Sequence, residues 1–194
     1  QMLEDIGLMR MLPGRSVIGP GDAEEARKAV IAAAETDGPV YIRFSRAATP
    51  VFTTSETPFQ IGKALELWKS NTPKVAILST GSLSYSALTA AHALSSEGIG
   101  SIVLHVPTVK PLDEEAVLEA VRSVRCVVTV EEHQAAGGFG SAVAEFLSQR
   151  HPVPMRLLGV ADIFGQSGES DELLRHYGLD ALHIEDAVRV LIGE

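Results

Sequence analysis

The chain has 194 residues, room for one full domain and part of a second. Apolar residues make up 45% and charged residues 21%, the balance of a soluble globular protein, and a net charge of −9 without any basic stripe argues against nucleic acid as a partner. One cysteine, Cys126, excludes an internal disulfide and reads as a buried small hydrophobe; no apolar run nears the length of a membrane span. The N-terminal Gln1-Met2-Leu3-Glu4-Asp5 has no basic signal region, so the cytoplasm is the expected compartment. A start at Gln1 points to a natural chain that began earlier.

In chain order, residues 2–11 read as a short helix stopped by Pro13-Gly14, with Leu3, Ile6 and Met9 on one face. Val17-Ile18 is a short buried strand. Asp22 and Glu25 form a capping box opening a helix with Ala26, Ala29, Val30, Ala33 and Ala34 on one side. Gly38-Pro39 ends it, and residues 40–44 are a strand. Residues 46–58 hold two prolines and several Thr/Ser with no periodicity, and read as a linker. Beyond it residues 59–68 read as a strand or a strand-turn segment, and strands follow at 75–78, 99–106, 126–130 and 154–160. Helices run from Ser82 to about Glu97, from a cap at Asp113, from Gly140 through Gln149, and over 170–176 and 184–193. Short apolar strands alternating with helices predict an α/β fold, a mostly parallel sheet flanked by helices.

Candidate chemistry is sparse. Gly137-Gly138-Phe139-Gly140 follows a strand and opens a helix, so its free N–H groups could hold an anion; the third glycine of a dinucleotide fingerprint is absent, which leaves tight helix–strand packing or close subunit approach as the alternative. Glu131-Glu132-His133, placed just past a strand's carboxyl end, could do acid–base work or serve as an interdomain or subunit contact. The six histidines show no metal-ligand spacing, and His105, inside a strand, reads as structural. No Gly-x-Ser-x-Gly or phosphate-loop motif occurs. Arg43 and Arg46 flank the end of the strand 40–44 and should point to opposite sides; Arg46, leaving the carboxyl end, could grip phosphate or form a surface salt bridge.

The order of motifs adds a resemblance. Glu4-Asp5-Ile6-Gly7-Leu8-Met9-Arg10 with Leu12-Pro13-Gly14, and residues 38–46, resemble the pyrimidine-binding domain of transketolases. Val106-Pro107-Thr108-Val109-Lys110-Pro111-Leu112-Asp113, Val130-Glu131-Glu132-His133 with the glycine cluster, Gly159-Val160-Ala161-Asp162, Phe164-Gly165 with Gly168, and Tyr177-Gly178-Leu179 resemble the transketolase C-terminal domain. The likeness covers nearly the whole chain and is nearest to the C-terminal subunit of split transketolases.

The resemblance implies a partial pyrimidine-binding unit over 1–52 and a transketolase C-terminal domain over 53–194. It implies thiamine diphosphate and Mg²⁺ in the complete enzyme, with none expected on this chain alone. The reaction implied is ketol transfer between sugar phosphates, in pentose phosphate metabolism. The family's cofactor-activating glutamate, its Thr-His loop and its metal and diphosphate ligands are missing here, so the isolated chain is expected to be inactive. Arg46 alone matches a functional position, an arginine that binds the substrate phosphate; Glu131, Glu132 and His133 are candidate subunit-contact or site-adjacent residues, with no catalytic role transferred. The expected partners are a second copy, with Leu3, Ile6 and Met9 exposed for pairing, or an N-terminal transketolase subunit, and phosphorylated sugars. The alternatives are a β-subunit of a 2-oxo acid dehydrogenase, a deoxyxylulose-phosphate synthase relative, or a non-catalytic dimerisation module. Arg46 and the Phe164–Gly168 stretch favour transketolase.

Overall fold

Apolar runs separated by amphipathic periods build two sheets. The computed structural model describes residues 2–193; Gln1, which carries the expectation of an earlier start, and Glu194 lie outside them. The first part of the chain forms α1 (Asp5–Met11), β1 (Ser16–Ile18), α2 (Ala23–Ala34) and β2 (Val40–Ile42). An irregular stretch leads to β3 (Leu65–Lys69), β4 (Val75–Ser79), α3 (Leu83–Ser96), β5 (Ser101–His105) and β6 (Thr108–Lys110). Then follow α4 (Glu114–Arg122), β7 (Cys126–Gln134), α5 (Phe139–Arg150), β8 (Met155–Val160), α6 (Ser170–His176) and α7 (Ala181–Ile192).

Helix starts follow side-chain caps. Asp22 accepts from Glu25 N–H, Asp113 from Ala116 N–H and Asp180 from His183 N–H, each filling a donor the first turn leaves unpaired. In α2 the Glu25 carboxylate reaches back one residue further than a capping box requires, to Gly21 N–H at 2.6 Å.

The larger sheet has the order β3-β5-β4-β7-β8, parallel except for antiparallel β3 at one edge. Its central strands are buried on both faces, and alternate residues feed two cores. Ala76, Leu78, Ile102, Leu104 and Val127 face Val117, Val121, Val143 and Leu147 of α4 and α5. Val75, Ile77, Val103 and Val128 face Ala87, Ala91, Ile184 and Val188 of α3 and α7. Each fully buried Val, Leu or Ile contributes roughly 1.5–3 kcal/mol.

The smaller sheet has the order β2-β1-β6. β1 pairs parallel with β2, and antiparallel with β6, which lies almost a hundred residues further on. Thr108-Val109-Lys110, flanked by Pro107 and Pro111, was not expected as a strand; it is one, and it completes the sheet begun by the first fifty residues. Lys110 Nζ also donates to the carbonyls of Arg10 and Leu12 at the end of α1.

Several expectations need correction. Of residues 59–68, the first part is turn and irregular chain and the strand is Leu65–Lys69, so the segment is strand and turn rather than strand throughout. β2 ends at Ile42, and α7 begins at Ala181, where Asp180 caps it. Leu3, Ile6 and Met9 are not an exposed face. Ile6 is 2% exposed within the α4/α5 core, Met9 packs against that core, and Leu3 packs against the other. The exposed residues of α1 are Leu8 and Met11, with Leu12 just beyond. In α2 only Ala29 of the expected apolar face is buried, while Val30 and Ile31 are half exposed. Among the described residues, no helix is long and apolar enough to cross a membrane.

Candidate functional site

The carboxyl ends of β4, β5 and β7 meet the elements of the first fifty residues. In open α/β sheets the crevice outside such ends gathers functional groups.

Arg46 follows β2 in a bend. Exposure alternates there: Arg43 is half-buried, Phe44 exposed, Ser45 half-buried and Arg46 exposed. Arg43 turns inward, 3.3 Å from Asp5 Oδ2 and 3.6 Å from Glu132 Oε2. Tyr41 O–H donates to the same Asp5 oxygen at 2.8 Å. Arg46 turns outward and has no hydrogen bond or ion pair among the described residues. The structure therefore separates the two arginines, one consumed by carboxylates and one available to a ligand.

Glu131-Glu132-His133 lies within β7, not past it, because the strand runs on to Gln134. Alternation sends Glu132 to Arg43 and to Ser82 Oγ–H, while Glu131 and His133 go to the other face. His133 Nδ1–H donates to the Gln134 carbonyl at 2.8 Å, which leaves Nε2 to accept Gly7 N–H of α1 at 3.0 Å. Glu131 is fully buried and accepts Phe139 N–H at 2.6 Å and Gly140 N–H at 2.7 Å. The acceptor at the start of α5 is thus the chain's own Glu131 carboxyl, which leaves the glycine cluster no vacancy for an external anion. A Cβ on Gly138 would collide with Glu131 Oε2, so the cluster serves close packing. Burial pushes the Glu131 carboxyl up to about 7, against the pull of the two N–H groups and of Arg10 and Arg43.

Beside this lies a buried chain of hydrogen bonds that no sequence spacing reveals. Ser79 Oγ–H donates to Ser84 Oγ at 2.9 Å, Ser84 Oγ lies 2.6 Å from His105 Nδ1, and His105 Nε2 lies 2.7 Å from Glu25 Oε2. With Ser79 donating, Ser84 donates to Nδ1 and Nε2–H donates to Glu25. The order Ser–His–Glu imitates a hydrolase triad, but Ser84 and His105 are 0% exposed, so no substrate reaches the hydroxyl. It is an internal tie between α2 and β5. Glu25 was legible as a cap; its partner 80 positions on was not.

Among the described residues no group of three or more His, Cys, Asp or Glu is placed to hold a metal ion, and the helix start best suited to a diphosphate is filled by Glu131. No thiamine diphosphate or metal step is therefore assigned to these residues.

Comparison with known proteins agrees with the motif order. Residues 62–184 match the transketolase C-terminal domain family and residues 1–51 the transketolase pyrimidine-binding domain family. The chain is 43% identical over 182 residues to the 6-deoxy-6-sulfo-D-fructose transketolase subunit of Clostridium sp. (strain MSTE9), covering 94% of this chain and 56% of that protein. It is 38% identical over 179 residues to an apulose-4-phosphate transketolase subunit of Phocaeicola vulgatus, covering 92% of this chain and 56% of that protein. A solved split-gene transketolase, described as an inactive beta4 tetramer, superposes with a TM-score of 0.94 at 41% identity, covering 100% of this chain and 63% of that one. The chain spans little more than half the length of these curated relatives.

Proposed function

The chain belongs to the transketolase family, and from that premise we propose that it is the carboxyl-terminal part of a thiamine-diphosphate- and Mg²⁺-dependent transketolase. The enzyme moves a two-carbon ketol unit between sugars that carry a terminal anion. The cofactor supplies the electron sink and is held by a separate N-terminal part, not by this chain. The working unit is an assembly of this chain with that part, with a second copy joined through the exposed apolar residues of α1 and α2, in the cytoplasm. Residues 1–52 and 53–194 are its two structural units.

Arg46 carries the proposal. It is an exposed guanidinium with no internal partner, at the carboxyl end of a strand, beside an arginine of the same segment whose charge is already neutralised. A planar fork of donors suits a tetrahedral oxyanion. The names of two relatives each specify such a group, a sulfo group in one and a phosphate in the other. The substrate class is accordingly a ketose or aldose with a terminal phosphate or sulfonate.

The test is Arg46→Ala in the assembled enzyme, assayed with phosphorylated, sulfonated and uncharged donors. KM should rise at least tenfold for the charged donors, the effect of losing one charge-assisted contact, and stay within about twofold for the uncharged one. Equal effects on all three donors would show that Arg46 is structural.

A further inference from the structure

The segment carrying Arg46 is held only at its ends. Among the described residues, none of residues 44–51 makes a hydrogen bond. At the near end, Arg43 N–H donates to the Ile18 carbonyl at 2.8 Å, and its side chain is fixed by Asp5 and Glu132. At the far end the Asp22 carboxylate takes Phe52 and Thr53, and Lys28 Nζ donates to the carbonyls of Thr54 and Thr57 just beyond them. Asp22 Oδ2 accepts Phe52 N–H at 2.8 Å and Thr53 N–H at 2.6 Å, while Oδ1 accepts Thr53 Oγ1–H at 2.8 Å and Glu25 N–H at 2.9 Å.

Asp22 is 4% exposed, and its four donors match what a carboxylate accepts. Burial by itself raises its pKa, yet the bonds from Glu25, Thr53 and Phe52 together hold it below the ordinary carboxylate range. Cap duty on α2 needs one of these bonds. The other three all go to Phe52 and Thr53, far more than a cap requires. Through Phe52, whose ring stands edge-on to His105 at 5.6 Å, the same joint rests on the buried Glu25–His105 tie. A segment without internal bonds takes its position from its attachments, so the reach of Arg46 is set by these two ends.

We propose that Asp22 is a positioning residue for substrate: it fixes the far end of the Arg46 segment and thereby the place where the guanidinium meets the terminal anion. This rests on the reading of Arg46 as the anion-binding residue. Small displacements of a binding group lower affinity steeply, so loosening this end weakens binding of charged substrate and leaves the chemical step alone.

Asp22→Asn tests it. The amide keeps the shape but offers one oxygen, and turns an NH₂ towards N–H donors. In the assembled enzyme, KM for a phosphorylated donor should rise about tenfold with kcat within about threefold, and KM for an uncharged donor should not move. Hydrogen exchange on the full chain should show the Phe52 and Thr53 amides, the two that Asp22 holds, exchanging faster while the β4, β5 and β7 amides keep their protection. Added to Arg46→Ala, Asp22→Asn should raise KM no further. Thr53→Val, which removes one of the four donors and leaves the cap intact, should give a smaller shift of the same kind, and it carries the test if Asp22→Asn does not fold. Faster exchange at Phe52 and Thr53 with an unchanged KM would overturn the positioning role. So would an equal KM rise for charged and uncharged donors, or a further rise in the double variant. If Arg46→Ala itself shows no preference for charged donors, the Arg46 reading fails and takes this inference with it; that arm separates the two failures.

Discussion

The two sheets differ in what specifies them. The larger sheet is local: β4, β5 and β7 are apolar runs joined by amphipathic helices, and each neighbouring pair is set by burial of alternating side chains into two cores. The smaller sheet is assembled at long range. β1 and β2 are three residues each, its third strand comes from the far side of a Pro-rich stretch, and polar ties hold it in place: Glu25 to His105, His133 to Gly7, Arg43 to Glu132. Hydrophobic periodicity writes the first kind of structure; individual hydrogen bonds write the second.

Separating the two regions is the strongest way to break that contrast. Residues 59–194 alone should still melt cooperatively, because the larger sheet and both its helical layers survive the cut. They should do so roughly 15 °C lower than the full chain, since the α4/α5 core loses Ile6 and Val17 and β6 loses its partner. Calorimetry on the fragment decides; a fragment with no transition would mean that the larger sheet is not locally specified.

Gly138→Ala attacks the joint itself. The added Cβ would run into Glu131 Oε2 and lie 2.5 Å from His133 Nδ1, both held by hydrogen bonds, and should cost about 4 kcal/mol in urea unfolding. A loss below about 1 kcal/mol would show that this joint relaxes freely.

The third effect is one of pH. Folded Glu131 keeps its proton up to about 7, against 4.5 for its ordinary value. The folded state therefore binds more protons across that window. Its stabilising share is complete below 4.5 and is lost as pH rises through 7, at most about 3 kcal/mol. Glu131→Gln should flatten the dependence of the urea midpoint between these values; an unchanged slope would assign it to other groups.

Glu25→Ala should have the smallest effect, about 2 kcal/mol, by leaving His105 Nε2–H and Gly21 N–H unpaired in the interior. Exchange should then quicken in α1, β1 and β2 more than in β4 or β7. Uniform quickening would argue that the tie supports the whole molecule equally.

The same contrast explains what was legible in the sequence. Val75–Leu78, the caps at Asp22 and Asp113, and the helix after Ser82 were plain because their causes lie within a few residues. β6 stands out as a motif yet not as a strand, since two prolines frame it and its partner lies far away. The overrun of β7 was hidden because Glu131, Glu132 and His133 look solvated until their partners are known. Leu3, Ile6 and Met9 read as exposed because the surface that covers them belongs to later residues. Arg46 was visible by kinship; the joint at Asp22 that holds its segment was not, since Phe52 and Thr53 donate through their main chain and leave no side-chain pattern.

The pairing of β1 with β6 also imposes an order in time. During synthesis the first fifty residues leave the ribosome well before Thr108–Lys110, so β1 waits with one edge open while β3, β4 and β5 of the larger sheet are made. Domains generally form as they emerge, N-terminal part first. Here the early part cannot close until the late part arrives, and a chain interrupted before residue 108 carries an uncapped strand edge, ready to pair with another nascent copy.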